Sequence, residues 1–297
     1  MQVTKEKKAT GPKEFTKLGQ GLKINSQALN DKSRTILTDE LVHLLVDLHH
    51  QLQPERIALL RDRKKRQLNF DEGKVPDYLN KNNEAVVSDW KVASLPADLK
   101  KRRVEITGPV NSTKMVINML SRNDDGVLAD MAMLDFEDSM KPSWQNIVDG
   151  FHNVIGAARG DLRFEQAGKK GKPSKVYQLD ADDMSGVMVR CRGLHLNEEN
   201  VTVDGEPISA GLFDLAVNFY HTAQVLVDRG RTPKYYVPKC ESYQEARWWN
   251  GLFGMLEDKL GFETGTLRAT FLIETLTAAF QIEEILYEIR NHAAGLN

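Results

Sequence analysis

From Thr38 onward, apolar residues fall at helical spacing. Leu41, Leu44, Leu45, Leu48 and Leu52 form one face, Thr38 can cap the first turn, and Asp39 and Glu40 suit its positive end. Pro54 is expected to break that helix and restart a second one through "ERIALLRDRKKRQ". The basic run Arg61 to Arg66 interleaves with an apolar stripe, which reads as a solvated face. Residues 1–35 are polar, lysine-rich and aperiodic, predicting a mobile tail, and residues 36–100 read as a helical clasp and linker. Past residue 100 the pattern changes. Short apolar runs at 104–107, 131–136, 186–191, 234–238 and 267–273 predict strands. Amphipathic helices are expected near 112–121, 143–158, 209–229, 242–259 and 275–292. Ser242 and Glu245 have capping-box spacing, Gly295 reads as a helix stop, and 159–175 reads as a surface excursion with a small hairpin.

Strands alternating with helices imply an α/β fold with a parallel sheet and right-handed crossovers. Five such units fit either an open doubly wound sheet or part of an eightfold barrel. No G-x-G-x-x-G follows the first strand, which weakens the dinucleotide-binding option. In a barrel, chemistry belongs at the carboxyl ends of the strands.

Composition narrows the class. The 297 residues are 41% hydrophobic and 28% charged, as in a globular protein, and the net charge of −2 leaves no footprint for nucleic acid or a general membrane surface. Two cysteines, Cys191 and Cys240, suggest a reducing compartment and buried small side chains rather than a disulfide scaffold. The opening "MQVTKEKKATGPKEF" lacks the apolar core of a secretory signal, and no run is long enough to span a bilayer. A cytoplasmic protein is the expectation, with a peroxisome as the alternative.

Three strand ends carry charge. The second predicted strand closes on Asp135, Glu137 and Asp138 of "DFEDS", the third on Arg190 and Arg192 with His195 beyond, and the fifth on Glu274. Carboxylates suit a hard divalent cation, and a guanidinium beside them can hold a substrate carboxylate or stabilise an oxyanion. "DFEDS" reads equally as a turn and helix cap, Glu274 as an internal ion pair, and His195 as a structural histidine. Arg190 and Arg192 are expected to point opposite ways, one into the barrel interior and the other into a structural pair.

These residues sit in strings that resemble malate synthase, isoform A: "RRVEITGPV", "KMVINML", "DFEDSMKPSW", "RCRGLHLNEENVTVDGEPISAGLFD", "YYVPKCES" and "LRATFLIETLTAAFQIEEILYEIRNHAAGLN". The resemblance runs from about residue 38 to the end, with the family's "MADFEDS" written here as "MLDFEDS". It implies a TIM (β/α)8 barrel, of which residues 101–297 would supply about the first five βα units after an N-terminal helical segment. It further implies condensation of acetyl-CoA with glyoxylate and water to malate and CoA in the glyoxylate bypass, dependence on Mg²⁺, and a monomeric full-length protein. Carried over, Arg190 would hold glyoxylate and stabilise the enolate of acetyl-CoA. Glu274 would be a direct Mg²⁺ ligand, while Asp135, Glu137 and Asp138 would support water on that metal. The family's second metal ligand, remaining strands and catalytic base would follow Asn297, so the chain alone is expected to be inactive. Two other readings stand beside this one: a Mg²⁺-dependent malyl-CoA or citramalyl-CoA lyase, and a non-catalytic binding remnant. The helical segment, "ITGPV" and "GLHLNEENVTVDGEPIS" favour the synthase.

Overall fold

The computed structural model describes residues 14–168 and 173–297. Its first elements overturn much of the expected tail. Strands β1 (Phe15–Gly19) and β2 (Leu22–Asn25) pair as an antiparallel hairpin. Leu22 and Ile24 are buried while Lys17 and Lys23 face water, so lysine-rich composition concealed a period-two strand. Residues 1–13 of that predicted tail lie outside the described residues. Helix α1 (Asp31–Ile36) follows, capped by Asn30.

Helix α2 (Asp39–Asp71) starts where the pattern predicts, with Thr38 Oγ1 accepting from the Leu41 amide at 3.3 Å. Pro54 does not divide it; the helix runs unbroken for 33 residues. The ring removes one backbone donor, yet Leu52 and Gln53 before it and Arg56 and Leu59 after it are all buried along one stripe. Packing on both sides outweighs the lost hydrogen bond. After α3 (Glu84–Val87) the barrel segment begins.

Its elements are β3 (Glu105–Pro109), α4 (Thr113–Leu120), β4 (Met131–Asp135) and α5 (Trp144–Arg159). The predicted excursion then forms an antiparallel pair, β5 (Arg163–Gln166) with β6 (Lys175–Gln178). Beyond β7 (Gly186–Arg190) comes an unforeseen hairpin, β8 (Asn197–Val203) and β9 (Glu206–Ser209). It turns at Asp204–Gly205, whose φ values of +51° and +90° are the positive pair that Asp-Gly hairpin turns use. Because β8 also pairs with β2, a four-stranded antiparallel sheet ties the N-terminal segment to the barrel. The chain continues through α6 (Ala210–Asp228), β10 (Lys234–Val237), α7 (Tyr243–Leu260) and β11 (Arg268–Phe271).

The last segment departs from expectation. In place of one helix over 275–292 there is a short α8 (Ile282–Ile289) and a sixth parallel strand, β12 (Ala293–Leu296). Gly295 lies in that strand and stops no helix. "AAGL" offers no alternation of bulky residues, so its strand character comes from pairing with β11 rather than from its own pattern.

The six parallel strands lie in space in chain order, β3-β4-β7-β10-β11-β12. Sequential order with crossovers of one hand sends every helix to the same face, giving a barrel arc rather than a doubly wound sheet. Ala132, Leu134, Val187, Val189, Tyr235 and Val237 join the core shared with the helices. The alternate residues Met131, Met133, Met188 and Tyr236 form a separate interior cluster with Leu99 and Ala294. Continuing that alternation one step carries Asp135 and Arg190 to the interior mouth. Among the described residues, no helix is long and apolar enough to cross a membrane.

Candidate active site

Strand register builds the centre of the site. Arg190, last residue of β7, is the parallel partner of Asp135, last residue of β4. Both point inward, and Arg190 Nε and Nη2 donate to the two Asp135 carboxylate oxygens at 2.7 and 2.6 Å. Asp135 is fully buried, and its oxygens also accept from the amides of Glu137 and Ser139, both at 2.9 Å. In "DFEDS" one carboxylate therefore both braces the turn and aims the arginine. Burial opposes ionisation of Asp135, but Arg190, Ser139 and the Glu137 amide together hold its carboxyl below the ordinary value. Hydrogen bonding to Asp135 in turn raises Arg190, against the effect of burial.

Around this fork stand three more carboxylates. Glu137 Oε2 lies 3.9 Å from Arg190 Nε, and that oxygen is buried without a hydrogen-bond partner among the described residues. Burial, reinforced by Asp138, pushes Glu137 up to about 7 despite Lys239 and Arg190. Asp138 is half-exposed, with Oδ2 3.7 Å from Arg190 Nη1. Glu274 follows β11 on the loop and reaches the same rim.

One cation that sequence reasoning passed over joins them. Lys239, two residues beyond β10, places its Nζ 3.2 Å from Asp138 Oδ2 and 3.1 Å from Glu274 Oε2, while its amide donates to Glu274 Oε1 at 2.8 Å. Burial works against the ammonium, but Glu274 and Asp138 overcome it and raise Lys239 above the ordinary lysine value. Its φ of +54° is a strained setting for a side chain with a Cβ. The signal was available: Lys239 is the strand-end charge of the fourth unit, in a position equivalent to the residues already singled out. Asp135, Glu137, Asp138 and Glu274 thus come together, linked by Arg190 on one side and Lys239 on the other, while Arg192 does not join them.

The divergence of Arg190 and Arg192 has a different cause from strand alternation, which would put residues two apart on one face. The strand ends at Arg190, and the chain turns away beyond it. Arg192 is buried behind the rim, donating to Asp214 through its amide, Nε and Nη2 and to Glu198 through Nη1. Past it, a Cβ on Gly193 would stand 2.8 Å from the His195 ring and 3.6 Å from Glu137 Oε1, so glycine lets this loop pass beside the carboxylate. Burial and the cations Arg63, Lys239 and Arg56 lower His195 below the ordinary histidine value.

Helix α2 supports the same loops from outside. Arg56 Nε donates to the Leu194 carbonyl at 2.7 Å and its Nη2 to the Leu196 carbonyl at 2.9 Å. Arg63 forks onto Glu245 at 2.6 Å and donates to the Lys239 carbonyl at 2.7 Å. The basic run is therefore partly a structural splint, and Glu245 accepts from Arg63 and the Glu241 amide rather than completing a capping box.

Among the described residues, no three acidic, histidine or cysteine side chains stand ready-placed around a metal. The Lys239 ammonium occupies the space between Asp138 and Glu274. The chemistry of the donors nevertheless fits Mg²⁺: all are carboxylate oxygens, and Glu137 keeps one buried oxygen unpartnered.

Two family models match the chain: "Malate synthase, N-terminal domain" over residues 26–84 and "Malate synthase, TIM barrel domain" over residues 186–297. Malate synthase A of Escherichia coli (strain K12) is 42% identical over 267 residues, covering 90% of this chain and 48% of that protein. Malate synthase of Myxococcus xanthus (strain DK1622) is 43% identical over 262 residues, covering 88% and 46%. The chain spans about half the length of the curated relatives it matches. A solved "Haloferax volcanii Malate Synthase Magnesium/Glyoxylate Complex" aligns at 14% identity with a TM-score of 0.41, over 64% of this chain and 48% of that one.

Proposed function

Since the chain belongs to the malate synthase family, we propose that its strand-end rim serves the condensation of acetyl-CoA with glyoxylate to malate and CoA. The observation that carries this reading is the paired arrangement of the Arg190–Asp135 fork and the Asp138–Lys239–Glu274 bridge at neighbouring strand ends. Asp135 occupies Nε and Nη2 of Arg190 and so leaves Nη1 as the edge that meets substrate. A guanidinium held in that way presents a fixed donor to the glyoxylate carboxylate or to the enolate oxygen of acetyl-CoA without reorganising. Glu274, with Asp138 and Glu137 beside it, would hold Mg²⁺, which when bound polarises the glyoxylate aldehyde. Asp135 acts through Arg190 and is a positioning residue. Lys239 keeps Asp138 and Glu274 close together, supplying positive charge to oxygens that would otherwise repel.

Calorimetric titration of glyoxylate into the full chain, with and without Mg²⁺, tests the reading. Mg²⁺-dependent binding that weakens roughly 100-fold in Arg190→Gln and loses its Mg²⁺ dependence in Glu274→Gln is the expected result. Binding that ignores Mg²⁺, or that neither substitution changes, would overturn it.

A further inference from the structure

A cavity of about 580 Å³ lies among the strand starts, at the other end of the barrel from the rim. Gly186 at the start of β7 lines it, whereas Arg190 at the end of that strand stands in the rim, about 13 Å away at ~3.3 Å per residue. Its lining carries five cationic side chains, Lys101, Arg122, Arg229, Arg231 and Lys234. Three have a carboxylate partner: Lys234 pairs with Asp98 at 2.7 Å, Lys101 with Asp130 at 3.2 Å, and Arg122 with Asp183 at 2.6 Å. Among the described residues, Arg229 and Arg231 form no direct ion pair.

Those two differ. Arg229 is satisfied by backbone, donating to the Ala158 and Ala181 carbonyls at 2.6 Å each. Arg231 is not: among the described residues it reaches only the Ser185 and Ala181 carbonyls, at the 3.5 Å limit of a hydrogen bond. It forms no ion pair among the described residues, and burial followed by the repulsion of Arg229 lowers it below the usual arginine value. A half-buried guanidinium kept charged beside another, with its donors barely used, is a group that an anion would relieve. Asp98 and Asp182 act on Arg231 only without direct contact. Two guanidiniums with no direct carboxylate partner among the described residues thus face the cavity, a match for the −1.5 to −2 carried by a phosphate monoester near pH 7. The volume exceeds what a lone phosphate ion needs and falls within the roughly 300–1,000 Å³ of small-ligand sites.

We propose that this strand-start cavity is a binding site for the phosphate group of a small phosphate monoester, with Arg231 as its principal ligand and Lys101 at its exposed lip. It is separate from the rim and independent of the reaction assigned there.

The test is calorimetry and ³¹P NMR on the full chain at low ionic strength, with glycerol 3-phosphate, inorganic phosphate and sulfate as probes. Saturable one-site binding of glycerol 3-phosphate is expected, tighter than that of either inorganic ion. Arg231→Ala should weaken it at least about tenfold, the loss of one charge-assisted contact, with partial recovery in Arg231→Lys. Lys101→Ala, at an exposed position, should weaken it severalfold and serves as the second variant if Arg231→Ala does not fold. Arg190→Gln should leave it unchanged. No saturable binding, binding indifferent to both cavity substitutions, or binding abolished by Arg190→Gln would each overturn the proposal. Inorganic phosphate binding as tightly as the ester would overturn the monoester assignment.

Discussion

Two arginines separated by a single cysteine show how a rim differs from the knot behind it. Arg192 has every edge engaged: Asp214 takes its amide, Nε and Nη2, Glu198 takes Nη1, and both carboxylates are themselves buried. Arg190 has Asp135 on one edge and, among the described residues, no hydrogen bond on the other, where Asp138 Oδ2 stands 3.7 Å from Nη1. The carboxylates follow the same division. Asp214 and Glu198 are saturated, while Glu137 keeps an oxygen without a partner. Residue type does not separate structure from chemistry here; unused bonding capacity does.

The largest effect should come from breaking the knot. Arg192→Met strands two buried carboxylates, and removal of one partner from a buried ion cluster costs about 3–5 kcal/mol. Urea denaturation should show that loss. A change below about 1 kcal/mol would mean the knot is not the structural half of the pair.

Breaking the rim should cost function before stability. Arg190→Gln should lower glyoxylate affinity roughly 100-fold through loss of charge-assisted hydrogen bonds, with a smaller drop in urea midpoint than Arg192→Met. Equal destabilisation by the two substitutions would erase the contrast.

Glu137 sharpens it through pH. Its carboxyl, held up to about 7 against an ordinary 4.5 by burial and then Asp138, keeps in the folded state a proton that the unfolded chain has already released. Its contribution to stability should therefore fall as pH rises from about 4.5 to about 7 and level off above. In metal-free buffer, Glu137→Gln should remove that slope and add on the order of 1–3 kcal/mol near pH 8 compared with its effect near pH 4. An unchanged slope would show that the unpartnered oxygen carries no such strain.

The smallest effect concerns Lys239. Its ammonium competes with a divalent cation for Asp138 and Glu274, a unit charge worth about 1 kcal/mol at a wet surface. Lys239→Ala should thus raise Mg²⁺ affinity severalfold by calorimetry. Weaker Mg²⁺ binding would mean that the lysine organises the carboxylates more than it blocks them.

Much of this contrast could be read from the sequence. Thr38, the five strand cores and the charges ending three of them followed from periodicity and the strand-end rule, because each is a local pattern. Misses came where tertiary partners decide the outcome. β12 is made of small residues that only its neighbour turns into a strand, and Pro54 stays helical because both of its flanks are buried. Two hairpins were legible and went unread, one behind its lysines and one behind an Asp-Gly turn. The pairing of Asp135 with Arg190 needed strand register, which no single strand encodes.

Helix α2 imposes a further constraint, on how the gene can vary. Arg56 grips the carbonyls that follow β7 and Arg63 grips the carbonyl of Lys239, from positions two helical turns apart on one face. Deleting or inserting a single residue between them would swing one grip by about 100° relative to the other. Point substitutions can accumulate on the outer face of that stretch, but its length should be fixed. Insertions and deletions among homologues should collect in the loops and stop short of the seven steps from Arg56 to Arg63.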